Sequence, residues 1–252
     1  MRRIVAIGGG NLRKRETWTI DQEIVRLTGK TRPRALFLPT ASGDSERYWE
    51  VFRRIYGDAL GCRPDVLTLL TRRYEKAELR RKILSADLVY VGGGNTLAMM
   101  RRWRRLGIDR LLQAACRKGT VLSGLSAGAI CWFTYGHSDS MRHYGHKPWA
   151  YVRVRGLGLI HATLCPHFHG EKRERDFRRM ILRRGGIGLA LDDHCALEVV
   201  GAEYRVIRSK RRAMAYRFYR QGGRVVRDVL EPSDAMQPCR TLLSRGELRS
   251  LA

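Results

Sequence analysis

Residues 124–128 read Gly-Leu-Ser-Ala-Gly, a G-x-S-x-G pattern centred on Ser126. A serine hydroxyl is a poor nucleophile until a base takes its proton, and that base is usually a histidine held by a carboxylate. The pattern predicts a strand over 120–124 and a helix over 127–133, joined by a sharp turn that presents the serine. Such a turn needs small residues on both sides, because neighbouring backbone comes too close for larger side chains. Gly124, Ala127, Gly128 and Ala129 meet that need. The same residues also describe a glycine-rich turn whose serine caps a helix, so the chemistry depends on partners elsewhere in the chain.

Among seven histidines, His167 follows the apolar run LIHATLCP, which places it at a strand end on the edge shared with Ser126. His169 would share that face only if the strand continued. For the carboxylate, Asp192 and Asp193 end the run GIGLAL, and Asp139 in HSDS competes from a loop. Gly92, Gly93 and Gly94 follow the run ADLVY and leave backbone N–H groups facing the same crevice. Donors of that kind stabilise the oxyanion formed on serine attack by about 3 kcal/mol each. A dinucleotide fingerprint fails, because Arg13 and Leu97 stand where its third glycine belongs, and no phosphate-binding loop of the G-x-x-x-x-G-K-[ST] type occurs. Cys165, His167, His169, His194 and Cys195 have the softness of metal ligands but not the spacing of a structural zinc site. No metal and no cofactor is therefore expected.

These residues need a scaffold. Short apolar runs (RRIVAIGG, RALFLPTAS, PDVLTLL, ADLVYVGGG, GTVLSGLSAG) read as buried strands ending in turn residues. Helical periodicity lies between them, over 20–28, 45–56, 76–84, 96–105 and 109–118. Strands alternating with helices predict an α/β fold, a three-layer sandwich whose mostly parallel central sheet has helices on both faces. Beyond residue 155 helices thin out, apart from 171–183, and antiparallel strands are expected to finish the sheet. With no repeat, low-complexity segment or linker, residues 1–252 read as a single domain. Ligands gather where strands of such a sheet end and helices begin.

With 252 residues, 44% of them hydrophobic, the chain can bury a large core without disulfides. Its six cysteines form no CxxC pair and read as reduced thiols; Cys131, one turn beyond Ser126, is expected to pack in the core. No run of about 18 uncharged apolar residues or cleavable leader is visible, so a cytoplasmic protein without membrane contact is expected. The net charge of +25 is spread along the chain, in clusters such as 101–105 and 173–184. That distribution reads as a basic solvated surface and not as one nucleic-acid face.

The segments VGGGNT, GLSAGA, SDS, CPHFHGEKRE and LALDD, in that order, resemble the peptidase E (aspartyl dipeptidase) family of serine peptidases, which also contains the cyanophycinases. The resemblance covers roughly residues 1–220 and implies the architecture of class I glutamine amidotransferases. It implies that Ser126 attacks, that His167 is general base and acid, and that the Gly94 N–H helps form the oxyanion hole. Asp193 matches the acidic position best, where relatives tend to carry glutamate; Asp192 remains an alternative, and Asp139 matches a loop-supporting aspartate. Arg173, in GEKRE, matches an arginine that holds the carboxylate of an N-terminal aspartyl residue, and Asn95 matches a neighbouring substrate contact. The expected reaction is hydrolysis of short peptides, above all dipeptides with an aspartyl first residue. Its rivals are cyanophycinase-like cleavage of β-Asp-Arg units and, because of the charge, nucleic-acid binding on an inactive hydrolase scaffold. The partners expected are a small peptide substrate and a second copy of the chain as a homodimer.

Overall fold

The computed structural model describes residues 1–145 and 148–244. The first half alternates as the sequence predicts, with β1 (Arg3–Ile7), α1 (Trp18–Arg26), β2 (Arg34–Leu38), α2 (Glu46–Phe52), β3 (Arg63–Val66), α3 (Lys76–Ser85), β4 (Leu88–Val91), α4 (Thr96–Leu106), α5 (Ile108–Lys118) and β5 (Val121–Leu125). There follow α6 (Ala127–Ile130), β6 (Phe133–Ser138), β7 (Val152–Arg155), β8 (Ile160–Cys165), α7 (Glu174–Arg184) and β9 (Gly188–Leu191). The chain continues through β10 (Cys195–Val200), β11 (Glu203–Arg208), β12 (Ala215–Gln221), β13 (Arg224–Leu230), β14 (Gln237–Pro238) and α8 (Cys239–Leu243).

Eight strands form the central sheet in the order β14-β11-β10-β1-β5-β4-β2-β3. From β1 to β3 the pairings are parallel, and β10, β11 and β14 finish the sheet antiparallel. Side chains alternate across a strand, so β1 feeds two cores. Val5 and Ile7 pack with Ile20, Ile24, Phe52 and Tyr56 of the layer bearing α1 and α2. Ile4 and Ala6 face the opposite core, which holds Met100 and Leu112 from α4 and α5.

One expectation changes. The strands beyond residue 130 do not all extend the central sheet; six of them build a second sheet, in the order β13-β12-β9-β8-β6-β7. Its inner residues Phe133, Ile160 and Leu164 join the core under α4 and α5, while Phe177 and Ile181 of α7 pack with Phe218 on its other side. The helix expected over 127–133 stops at Ile130, because Phe133–Ser138 is taken up by pairing with β7 and β8. Among the described residues no helix is long and apolar enough to cross a membrane.

A buried acid lies under α1. Asp21 is fully enclosed and accepts hydrogen bonds from Tyr56 Oη and Thr17 Oγ1, each 2.8 Å long. Burial pushes its carboxyl up to about 7 against the pull of those two donors. The folded state thus holds this proton more tightly than the unfolded chain. The associated stability is complete near pH 4 and is lost as pH rises through 7, by about 4 kcal/mol at most. Melting temperatures at pH 5 and pH 8 should differ more for wild type than for Asp21→Asn, whose neutral amide removes the titration; equal differences would contradict the assignment.

Candidate active site

Ser126 follows β5 with φ 56° and ψ −111°, a conformation that costs a residue with a side chain roughly 1–3 kcal/mol. Packing holds it there. A β-carbon on Gly128 would sit 2.0 Å from the Val91 carbonyl oxygen, so only glycine lets α6 press against the end of β4. The Ser126 N–H donates to Ile7 O at 3.0 Å, tying the elbow to the end of β1.

His167 reaches the same place from the other sheet. It follows β8, and its N–H donates to Gly8 O at 3.3 Å, one carbonyl beyond the one that holds Ser126. Serine and histidine are therefore anchored on consecutive carbonyls at the end of β1. The sequence expectation of one common sheet edge is corrected to the junction of two sheets. Asp193, just past β9, also belongs to the small sheet's side, and it bridges to Gly9. Its Oδ1 lies 2.6 Å from His167 Nδ1. That hydrogen bond, followed by the opposing effect of burial, holds the Asp193 carboxyl below its usual range. An ionised acceptor at Nδ1 requires the proton on that nitrogen, leaving Nε2 with its lone pair exposed.

The neighbouring acids have other partners. Asp192 pairs with His169, 2.9 Å from its Nδ1, and accepts from the Met214 N–H. Asp139 stands 3.8 Å from the Arg173 guanidinium, in a loop whose Ser138 and Ser140 hydroxyls bond the start of α4. Of the three candidate acids only Asp193 meets His167.

Arg173 is already engaged within the protein. It is buried, donates from Nε to Glu171 Oε2 at 2.9 Å and from Nη1 to the His137 carbonyl at 3.1 Å, and stacks on Tyr151. A guanidinium so engaged is not free to grip a substrate carboxylate. It ties the loop bearing His167 to the strand bearing His137. His137 is itself buried and bonded to Asp176 at 2.8 Å, and burial pushes its imidazole down. Asn95 caps α4, its Oδ1 accepting from the Ala98 N–H at 3.0 Å, so only its amide nitrogen remains for a ligand.

Gly94 has φ 135°, with its β-position closed off by the Ala41 carbonyl at 2.1 Å. The neighbouring Gly93 is the residue next to the serine; a β-carbon there would lie 3.4 Å from that of Ser126. Among the described residues the N–H groups of Gly94 and Ala127 have no protein acceptor. Ala127 escaped the sequence reading as a donor, although the residue after an elbow nucleophile commonly supplies one. All six cysteines are buried and free. Cys131 donates to the Gly128 carbonyl, and burial pushes its thiol well up, which removes it as a rival nucleophile. Among the described residues no group of three or more His, Cys, Asp or Glu gathers as it would around a metal ion.

A strained serine at a strand-to-helix elbow, at the end of a largely parallel sheet, is the arrangement of a serine hydrolase on a mixed α/β scaffold. The chain belongs to peptidase family S51, whose model matches residues 4–207, and it is a serine-type peptidase. "Uncharacterized peptidase YgaJ" of Bacillus subtilis (strain 168) is 34% identical over 221 residues, spanning 86% of this chain and 92% of that protein. "Peptidase E" of Citrobacter koseri is 31% identical over 113 residues, 40% of this chain and 45% of its own. Among solved structures, a peptidase from an acI-B1 Actinobacterium has a TM-score of 0.72 at 19% identity, over 94% of this chain and 97% of that one. At that identity the likeness is one of fold.

Proposed function

We propose that the chain hydrolyses short peptides with an acidic first residue, through an acyl-enzyme on Ser126. The observation that carries the reading is the His167–Asp193 hydrogen bond, delivered to the carbonyl next to the one that anchors the strained serine. In this reading Nε2 of His167 takes the Ser126 proton as Oγ attacks the peptide carbonyl. It then returns that proton to the leaving amine, while Asp193 stabilises the imidazolium formed between the two steps. The N–H groups of Gly94 and Ala127 receive the oxyanion. Water repeats the sequence on the ester, with His167 again the base.

Arg173, Asp139 and Asn95 act as supports of the site. They hold the His167 loop, the 138–140 loop and the start of α4 in register. The acidic preference is supported by the chain's net charge of +25, which raises the local concentration of anionic peptides.

The test combines labelling with turnover. A fluorophosphonate probe should modify Ser126, located by mass spectrometry, and the protein should release free aspartate from Asp-X dipeptides faster than the free amino acid from Ala-X dipeptides. Labelling without any preference for Asp-X would leave a serine peptidase of another specificity; failure of both would end the proposal.

A further inference from the structure

With Arg173 committed to Glu171, some other group must meet an anionic substrate. A cleft of about 430 Å³ opens beside the nucleophile, between the loop after β1 and helix α2. Leu125, the residue before Ser126, forms part of its wall, and so does Gly93, whose β-position lies 3.4 Å from the Ser126 β-carbon. That volume suits a dipeptide-sized ligand. Arg13 and Arg47 line the cleft from opposite walls, and among the described residues no carboxylate lines it. Both arginines are exposed, and neither has a side-chain partner among the described residues. Arg173, on the His167 loop, is already paired with a carboxylate. Two unpaired guanidiniums around a partly apolar cleft create a positive potential that a carboxylate cancels through charge-assisted, bidentate hydrogen bonds.

We propose that Arg13 and Arg47 form the subsite that recognises a carboxylate of the peptide substrate beside Ser126. The inference deepens the peptidase reading and rests on it. Two carboxylates of an acidic dipeptide have the required chemistry, the first residue's side chain and the free C-terminus.

The experiment compares wild type, Arg13→Gln, Arg47→Gln and the double variant on Asp-Leu, Asn-Leu and Asp-Leu amide. An Arg80→Gln/Arg81→Gln protein removes the same charge from α3, which packs on the opposite face of the sheet, and so controls for general steering. The double variant should raise KM for Asp-Leu by about 10-fold to 100-fold, the loss that one or two charge-assisted hydrogen bonds represent. The rise in KM should exceed the fall in kcat and should be absent from the α3 control. If the preference for Asp-Leu over Asn-Leu collapses, the side chain is the ligand; if the preference for the free over the amidated C-terminus collapses, the terminus is. Unchanged preferences in the double variant, or an equal effect in the α3 control, would overturn the subsite. Should wild type cleave none of the three peptides, the dipeptidase reading fails separately. The subsite is then judged by protection of Ser126 from the fluorophosphonate by Asp-Leu. Protection that the double variant abolishes supports it, and protection that is absent or unchanged overturns it.

Discussion

Replacing Ser126 by alanine should lower kcat for peptide hydrolysis by about 10⁴-fold to 10⁶-fold, the scale seen when an activated serine is removed from its base. Fluorophosphonate labelling should vanish with it. The melting temperature should stay close to wild type, because alanine inherits the same backbone strain at φ 56° and loses only a hydroxyl. Ser126→Gly separates chemistry from strain. Glycine occupies that conformation without penalty, so the variant should be equally inactive yet melt above Ser126→Ala, being more stable by about 1 kcal/mol once glycine's larger unfolded-state entropy is deducted. Turnover assays and calorimetry on the three proteins would decide it. Retained activity in Ser126→Ala would remove the serine from the reaction, and a lower melting temperature for the glycine variant would show that the turn is not strained.

The second large effect comes from a glycine packed against the His167–Asp193 pair. A methyl on Gly9 would lie 1.8 Å from Asp193 Oδ1 and 2.3 Å from His167 Nδ1, in the middle of their hydrogen bond. Gly9→Ala should therefore force the acid and the imidazole apart. Losing the oriented tautomer costs about 10⁴-fold in kcat in enzymes of this kind, and the same order is expected here with KM little changed. Asp193→Asn should produce a similar loss without the steric cost, and adding it to Gly9→Ala should cost little more, since both break one interaction. A Gly9→Ala protein that folds, shown by circular dichroism, and keeps wild-type turnover would mean that the His167–Asp193 contact has no part in the reaction.

Strands β1, β2, β4 and β5 were legible because each is a short apolar run closed by glycine, proline or serine, and strands buried on both faces leave that signature. The second sheet was not legible. Phe133–Ser138 carries a glycine, a histidine and three hydroxyl residues, and Arg224–Leu230 mixes charge with valine along an exposed edge. Neither shows the apolar run that marked the central strands. At the site, Ser126 and His167 could be found from turn chemistry and strand ends. The choice between Asp192 and Asp193 could not, because it depends on how the turn after β9 swings each carboxylate. One meets His169 and the other His167. The arginine was the harder case. Its burial is set by Glu171, two positions earlier, and by Asp139 and the His137 carbonyl, which are distant in the chain. No local pattern announces such an arrangement.

Strand β1 lies between β5 and β10, and the base and acid of the proposed mechanism come from 167 and 193, after most of the chain has passed. During synthesis, then, the serine elbow leaves the ribosome tens of residues before anything that can activate it. A nascent chain carries a silent hydroxyl on a sheet whose central strand still lacks one neighbour. Cleavage power arrives only when the last third of the polypeptide docks, so a truncated or stalled product cannot attack the peptides around it.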